Sequence, residues 1–553
     1  VLAGGFVDGN SDTQIDQTGN EIRDQLAETA LLNIWSAEGI SGNGTNHNQY
    51  TAAQVSQLLA VTQIKKLTDT ETRLEQDNIS ARQIKIQATG GIGDVRDYRL
   101  EFVEGKVQLS NADRAILAAA EHGTVEFLDA DNNIVAPDSP LVKYLVIHFS
   151  EDLDLTASET LEITAGGSVD LASEVDLKLL SFSGGDTRLR TNGSILNIQT
   201  GSGPVITSGS LILETATGTL GTAAKPLTIT MLDPDHESLT ARSHELIELN
   251  GLASAGASGA FNLDYLYTPA TIHLQSAGYI RDARNDHQVN IQGASLTVFG
   301  ASFGTEANSV EIELPSDGLT SIETSAGGIF LEELTGNLNI LKILTSTGDV
   351  MLKTPTSILD ARDESTRTQI LISGRSIRLT AVAGTLGMLA NHLEINTANG
   401  GTGLLNTQSN GDQFLDEMTG NLALGLLTSS SGRIFLVVPS DLTNGLVSGN
   451  NVSAAWLQFA VGGSAGSASK PLQTQITRLA GTAGGSIWLT NTGALIVGQI
   501  PDGLSALTAT TGSIQLIIQS PFTLEGALNA SGDVTIRTID HAASGDNILI
   551  QNA

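Results

Sequence analysis

Four glycines set the length scale of this chain. Gly221, Gly304, Gly387 and Gly466 recur at an almost constant interval, and each is followed at the same distance by Leu227, Val310, Leu393 or Leu472. Around them the sequence repeats: Gly218-Thr219-Leu220-Gly221-Thr222-Ala223-Ala224-Lys225-Pro226-Leu227 answers Gly384-Thr385-Leu386-Gly387 and what comes after it, with worn copies at 303–312 and 465–472. A second motif keeps the same ruler. Phe330-Leu331-Glu332-Glu333-Leu334-Thr335-Gly336-Asn337-Leu338 returns one long unit later as Phe414-Leu415-Asp416-Glu417-Met418-Thr419-Gly420-Asn421-Leu422.

Within the long unit runs a shorter one, a glycine turn before an alternating strand, as in Gly348-Asp349-Val350-Met351-Leu352, Gly432-Arg433-Ile434-Phe435-Leu436 and Gly512-Ser513-Ile514-Gln515-Leu516. The steps from Ile329 to Val350 and from Ile514 to Val534 put its period near 20. Such a period, with apolar residues at every second position, predicts an all-β solenoid, a parallel β-helix whose coils each lay strands into long sheets. From position 153 to 553 that spacing predicts roughly 20 coils and, at one strand spacing of about 4.8 Å per coil, a rod on the order of 95 Å long. The segment 233–260 reads as a bulge from it.

The stretch 1–152 reads differently. Residues 1–80 are expected to form a partly helical cap or linker, with one helix over 21–35 and another capped by Thr51 and ending near Lys65-Lys66. Residues 81–152 read as irregular first coils: the sheet pattern opens at Ile79, Ile84 to Gly93 resembles the marker, and Ser110 or Asn111 caps a helical insertion stopped by Gly123.

Sixty acidic against 28 basic residues give a formal charge of −32, which repels nucleic acid and anionic lipid. The absence of cysteine excludes disulfides and thiolate metal sites. No apolar run reaches the roughly 18 residues of a membrane-spanning helix, so membrane insertion is not expected. The opening residue Val1 leads us to expect a processed product or an excerpt. An aromatic content of only 4% suits narrow coils.

Candidate chemistry is sparse, and no cofactor is expected. Asp129, Asp131 and Asn133 have the opening spacing of a calcium loop, but Ile134 and Pro140 stand where its glycine and bidentate acid belong. Asp233 and Asp235, with His236 and Glu237 beside them, could hold a divalent ion such as calcium; in both places a solvated polar turn competes with a metal site. Asp360-Ala361-Arg362-Asp363-Glu364, echoed by Asp282-Ala283-Arg284, could suggest the acid and arginine sets of pectin-cleaving β-helix enzymes, but a catalytic groove is unique and this echo is periodic. In the paired acids Glu332-Glu333 and Asp416-Glu417, adjacent strand residues must face opposite ways, which suits repeat architecture better than a catalytic pair. Gly462-Gly463 and Gly484-Gly485 lack the lysine and the strand-to-helix context of a phosphate loop.

With the marker at 218–229 and the run Leu524-Glu525-Gly526-Ala527-Leu528-Asn529-Ala530-Ser531-Gly532-Asp533-Val534, residues 150–553 resemble the repeat regions of very large secreted bacterial adhesins related to filamentous haemagglutinin. The resemblance implies a right-handed parallel β-helix, export to the extracellular face of a bacterium, and a non-catalytic structural or adhesive role in a surface fibre. The family's secretion-domain motif is not visible in residues 1–80. Expected partners are further parts of the same chain, identical copies stacked end to end, or cell-surface glycans and proteins. A self-assembling filament or surface-layer subunit and a β-helix polysaccharide-active enzyme are the competing expectations.

Overall fold

The computed structural model describes residues 2–3, 49–53, 55, 78–108, 125–130, 133–252, 259–362, 368–397, 403–498, 500, 506–519, 521–539 and 547–551. The expected helices over 21–35 and 110–123, most of the one after Thr51, and Asp131, Asp363 and Glu364 lie outside these residues. Of the stretch expected to form the second helix, only Ala52, Ala53 and Val55 are described.

The strand pattern has the expected cause. In Val350–Thr354 the residues Val350, Leu352 and Thr354 are buried and Met351 and Lys353 point outward, the period of two that a half-buried strand requires. Successive coils then stack like on like: Ile329 pairs with Val350, Val350 with Ile377, and Ile377 with Leu405. All four are at most 1% exposed. Burying each such side chain contributes about 1.5–3 kcal/mol before the entropic cost of ordering it. Repetition of this ladder gives a parallel β-solenoid of about 16 turns.

The count is lower than the sequence spacing predicts because many coils are longer than the short repeat. Backbone amides that donate to a side chain of the previous coil measure this directly. Ser194 N reaches back 18 residues to Asp176 and Asp533 N reaches back 20 residues to Ser513, but Ser513 N reaches back 27 residues to Ser486 and Leu404 N 28 residues to Ser376.

The chain divides into two compact units, Val1–Ala294 and Ser295–Ala553. In the first, the strand Ile79–Ala88 pairs in parallel with Leu153–Ala165, which pairs with Leu177–Ser183. The intervening residues build a separate antiparallel sheet in which Tyr144–Glu151 lies between Asp94–Glu101 and Val125–Leu128. A second face stacks Val169–Ser173, Thr187–Thr191, Leu211–Thr215, Leu239–Arg242 and Gly259–Tyr267. The expected bulge over 233–260 is therefore a correction: Leu239–Arg242 and Ile247–Gly251 are regular rungs, because their inward Leu239, Ala241, Ile247 and Leu249 are fully buried. Only the turn at 233–237 leaves the ladder among the described residues of that stretch.

In the second unit, one face stacks Ile329–Glu333, Val350–Thr354, Ile377–Ala381, Leu405–Ser409 and Leu422–Ser429. Another stacks Leu393–Asn396, Gln413–Glu417, Arg433–Val438, Val452–Val461 and Leu472–Ala483.

The repeat motifs are devices for turning corners. All four marker glycines have positive φ, between 67° and 73°, a conformation glycine adopts without steric penalty. The residue after each opens a tight projecting turn, closed by reciprocal backbone bonds between Thr222 and Lys225, Thr305 and Asn308, Met388 and Asn391, and Ser467 and Lys470. Shorter corners are held by hydroxyls. Thr345 Oγ1 donates to Gly327 O at 2.6 Å, Ser429 Oγ to Gly411 O at 2.8 Å, and Thr347 Oγ1 to Ala326 O at 2.7 Å. These bonds join one coil to the previous one, so the Ser and Thr content satisfies corner carbonyls that would otherwise be lost from the ladder.

Candidate functional site

Two charged arrays on the outer faces of the coils hold most of the chemistry of the described residues. The first is in the amino-terminal unit. Thr187–Thr191 reads Thr-Arg-Leu-Arg-Thr, so alternation puts Arg188 and Arg190 on one face and Leu189 in the core. Arg188 donates from Nε and Nη2 to Glu214 Oε2 at 2.9 and 2.7 Å, and Arg242 Nη1 donates to Glu214 Oε1 at 3.1 Å. Arg190 pairs with the fully buried Asp152. Burial alone would raise the Glu214 carboxyl, but the charges of Arg188, Arg242 and Arg190 outweigh it and hold the group at about 2. Glu126 of the antiparallel sheet reaches this face, accepting from Ser238 Oγ at 3.5 Å.

A carboxyl depressed from 4.5 to about 2 contributes stability above pH 4.5 and loses it as pH falls toward 2. Glu214→Gln should therefore destabilise the unit at pH 7 by about 2–3 kcal/mol and flatten its stability profile between pH 5 and 2. Urea midpoints measured across that range check both effects.

The second array is in the carboxy-terminal unit. Arg362 lies between two buried acids: Nε donates to Asp360 Oδ1 at 3.0 Å, Nη2 pairs with Glu394, and Nη1 donates to Gln369 O at 2.7 Å. Burial pushes the Glu394 carboxyl up, against the pull of Arg362. One rung on, Glu394 pairs in register with Asp416. Asp416 accepts from or donates to His392 Nδ1 at 2.6 Å according to the protons they carry. The His392 ring stacks on Phe414 with centroids 5.4 Å apart and meets Phe435 edge-on at 5.1 Å, while the Arg433 guanidinium lies 4.8 Å over Phe414. Arg433 also reaches Asp412 at 3.3 Å.

The residues singled out from sequence fall into place around this geometry. Asp360-Ala361-Arg362 and its echo are the same corner: Asp360 accepts from Arg362 N at 2.8 Å, and Asp282 accepts from Arg284 N at 3.0 Å, the local side-chain turn that aspartate favours. Arg284 then pairs with Asp264 at 2.6 Å. Glu332 and Asp416 face outward, whereas Glu333 and Glu417 are 0% and 3% exposed and serve the corners. Glu333 accepts from Leu314 N at 3.2 Å, and Glu417 accepts from Thr397 N at 3.0 Å and Thr397 Oγ1 at 3.0 Å. Asn491 does the same for Ile476 N at 3.0 Å. Burial raises both carboxyls, Glu417 to about 7.

Asp129 accepts from Asn133 N and Nδ2 at 2.9 and 3.0 Å, closing a hairpin turn. Asp233 binds His236 Nδ1 at 2.9 Å, and Asp235 accepts from Arg281 at 3.1 Å, so an ion there would compete with a guanidinium. The amides of Gly463 and Gly485 donate to Ser440 O and Gly463 O at 2.8 Å, which spends on the coil stack the donors that a phosphate would need.

The His392, Phe414, Phe435 and Arg433 cluster is what sequence reasoning missed. The available signal is the spacing: His392 stands 24 residues before Asp416 and His273 stands 25 residues after Glu248, both one rung apart and both paired in the structure. No known protein family, curated protein or solved structure matches the chain.

Proposed function

We propose that this chain is a non-catalytic structural and adhesive segment of an extracellular bacterial surface fibre, its coils right-handed as parallel crossovers generally are. The observation that carries the reading is that the recurrent motifs build corners: the marker glycines turn the chain at positive φ, and the inward Glu333, Glu417 and Asn491 and the arginines of both Asp-Ala-Arg copies join one coil to the next. A sequence that spends its repeats on stacking one coil on the next suits a spacer that presents outer faces. The likeness of residues 150–553 to haemagglutinin-type repeats points the same way.

The test is retention and turnover together. The purified chain, coated on beads, should hold to host-cell or glycan-coated surfaces, and it should release no oligosaccharide from neutral or acidic polysaccharides. Turnover that disappears in Asp360→Asn or Glu394→Gln would overturn the reading in favour of a polysaccharide-active enzyme. Concentration-dependent polymers in sedimentation without surface retention would overturn it in favour of a filament subunit.

A further inference from the structure

The outer face of the second unit carries an aromatic patch whose composition goes beyond what coil-building needs. Alternation in Arg433–Val438 sends Ile434, Leu436 and Val438 into the core, each at most 1% exposed, and leaves Arg433, Phe435 and Val437 outside. On the next rung Trp456 pairs in register with Arg433, and Gln458 with Phe435. The rung after that brings Arg478 beside Trp456, and Arg478 is itself bound to Glu525 at 2.7 Å. Phe435 and Trp456 are diagonal neighbours and both remain partly exposed, so two ring systems stand on consecutive rungs, offset by two residues along the strand.

Polar groups flank the rings. On one side stand His392 and Asp416, joined at 2.6 Å with 15% and 29% of their side chains exposed. On the rung of Trp456, in register with Phe435, stands Gln458, 6% exposed, whose Oε1 is buried without a hydrogen-bond partner among the described residues. A buried amide oxygen left unpaired is costly and uncommon in native proteins. Rotation of the amide would offer either its acceptor or its two donors to a group arriving at the surface.

We infer that Phe435, Trp456 and Gln458, flanked by His392 and Asp416, form a binding site for a neutral polysaccharide laid obliquely across consecutive rungs. Sugar rings present an apolar C–H face that packs on aromatic side chains and an equatorial edge of hydroxyls that planar amide and carboxylate groups bind. The step from Phe435 to Trp456 combines a rung spacing of about 4.8 Å with two residues of about 3.3 Å each along the strand, longer than the advance of one pyranose unit, so the two rings meet separate sugars of one extended chain. The chemistry selects a neutral chain. The formal charge of −32 repels polyanions, and the cations at this face, Arg433 and Arg478, are already engaged with Asp412 and Glu525.

The inference rests on the adhesive reading and names its ligand class. Its test uses the full chain with cellohexaose, laminarihexaose, mannohexaose and chitohexaose, and with oligogalacturonate as the charged comparison. At least one neutral hexasaccharide should bind by calorimetry, and Trp456→Ala or Gln458→Ala should weaken it tenfold or more with the unfolding midpoint retained. The chain has three tryptophans. Trp35→Phe with Trp488→Phe therefore leaves Trp456 as sole reporter, and its emission should shift on addition of the same sugar, a readout that needs no change within the patch. Absence of binding by every neutral hexasaccharide at millimolar concentration overturns the site, as does binding indifferent to both substitutions with Trp456 emission unmoved. Preference for oligogalacturonate overturns the assignment of a neutral ligand. Bead retention that persists in Trp456→Ala leaves the adhesive reading standing while the site fails, and cleavage of a bound sugar overturns the non-catalytic reading while the site stands.

Discussion

Gly466→Ala should lower the unfolding midpoint far more than Gly493→Ala, although both residues have positive φ, 73° and 88°. An alanine in that region costs about 1–2 kcal/mol on conformational grounds alone, and this is the whole expected cost at Gly493, where an added Cβ has nothing within 4 Å. At Gly466 the same Cβ would stand 2.4 Å from Trp488 O and 2.9 Å from Leu472 N. Both are backbone atoms held in the ladder, so relief requires moving a rung, which adds about 1–3 kcal/mol. The expected total at Gly466 is then about 2–5 kcal/mol. Gly387→Ala should behave similarly, its Cβ meeting Phe414 O at 2.8 Å. Thermal and urea unfolding of the three variants check the order. Equal losses at Gly466 and Gly493 would mean that the marker marks a flexible turn and not a close approach between coils.

That contrast also explains what the sequence makes legible. The marker glycines announce themselves because the constraint on them is local: a positive φ beside the next rung admits one residue type, so it recurs visibly once in every long unit. The alternation of Val350–Thr354 is legible for the same reason. Partner choice is not local. Asp94–Glu101 and Tyr144–Glu151 pair antiparallel in a separate sheet, a choice of partner that is made by the rest of the fold. Pairing across rungs is hidden by corner length. A step that varies from 18 to 28 residues blurs the register. Arg188 with Glu214, 26 residues on, is therefore visible only once the coils are wound, and His392 with Asp416, 24 residues on, stands out only beside the similar step from Glu248 to His273. The Asp-Ala-Arg echo shows the converse: its periodicity is readable, and periodicity is what a corner demands.

The inward carboxyls give the second large effect, and its sign opposes that of Glu214. Burial raises the Glu417 carboxyl from 4.5 to about 7, against the help of its bonds from Thr397. The native state therefore holds this proton more tightly than the unfolded chain does. The stability linked to it is fully present below about pH 4.5 and is lost as pH rises through about 7. A difference of that size corresponds to about 3 kcal/mol. Glu417→Gln keeps the shape and an acceptor for Thr397 N, and the chain already uses a neutral amide in this role, because Asn491 accepts from Ile476 N at 3.0 Å and donates to Ile476 O at 3.1 Å. The variant should match the parent near pH 4.5, exceed it by about 2–3 kcal/mol at pH 8, and show a flatter profile between. Glu333, also raised by burial, should add to the remaining slope, so Glu333→Gln with Glu417→Gln flattens it further. Urea midpoints of parent and variants at pH 4.5, 6, 7 and 8 decide the matter. If the parent is as stable at pH 8 as at pH 4.5, or if its slope survives both substitutions, the buried corner acids are not what couples this fold to pH.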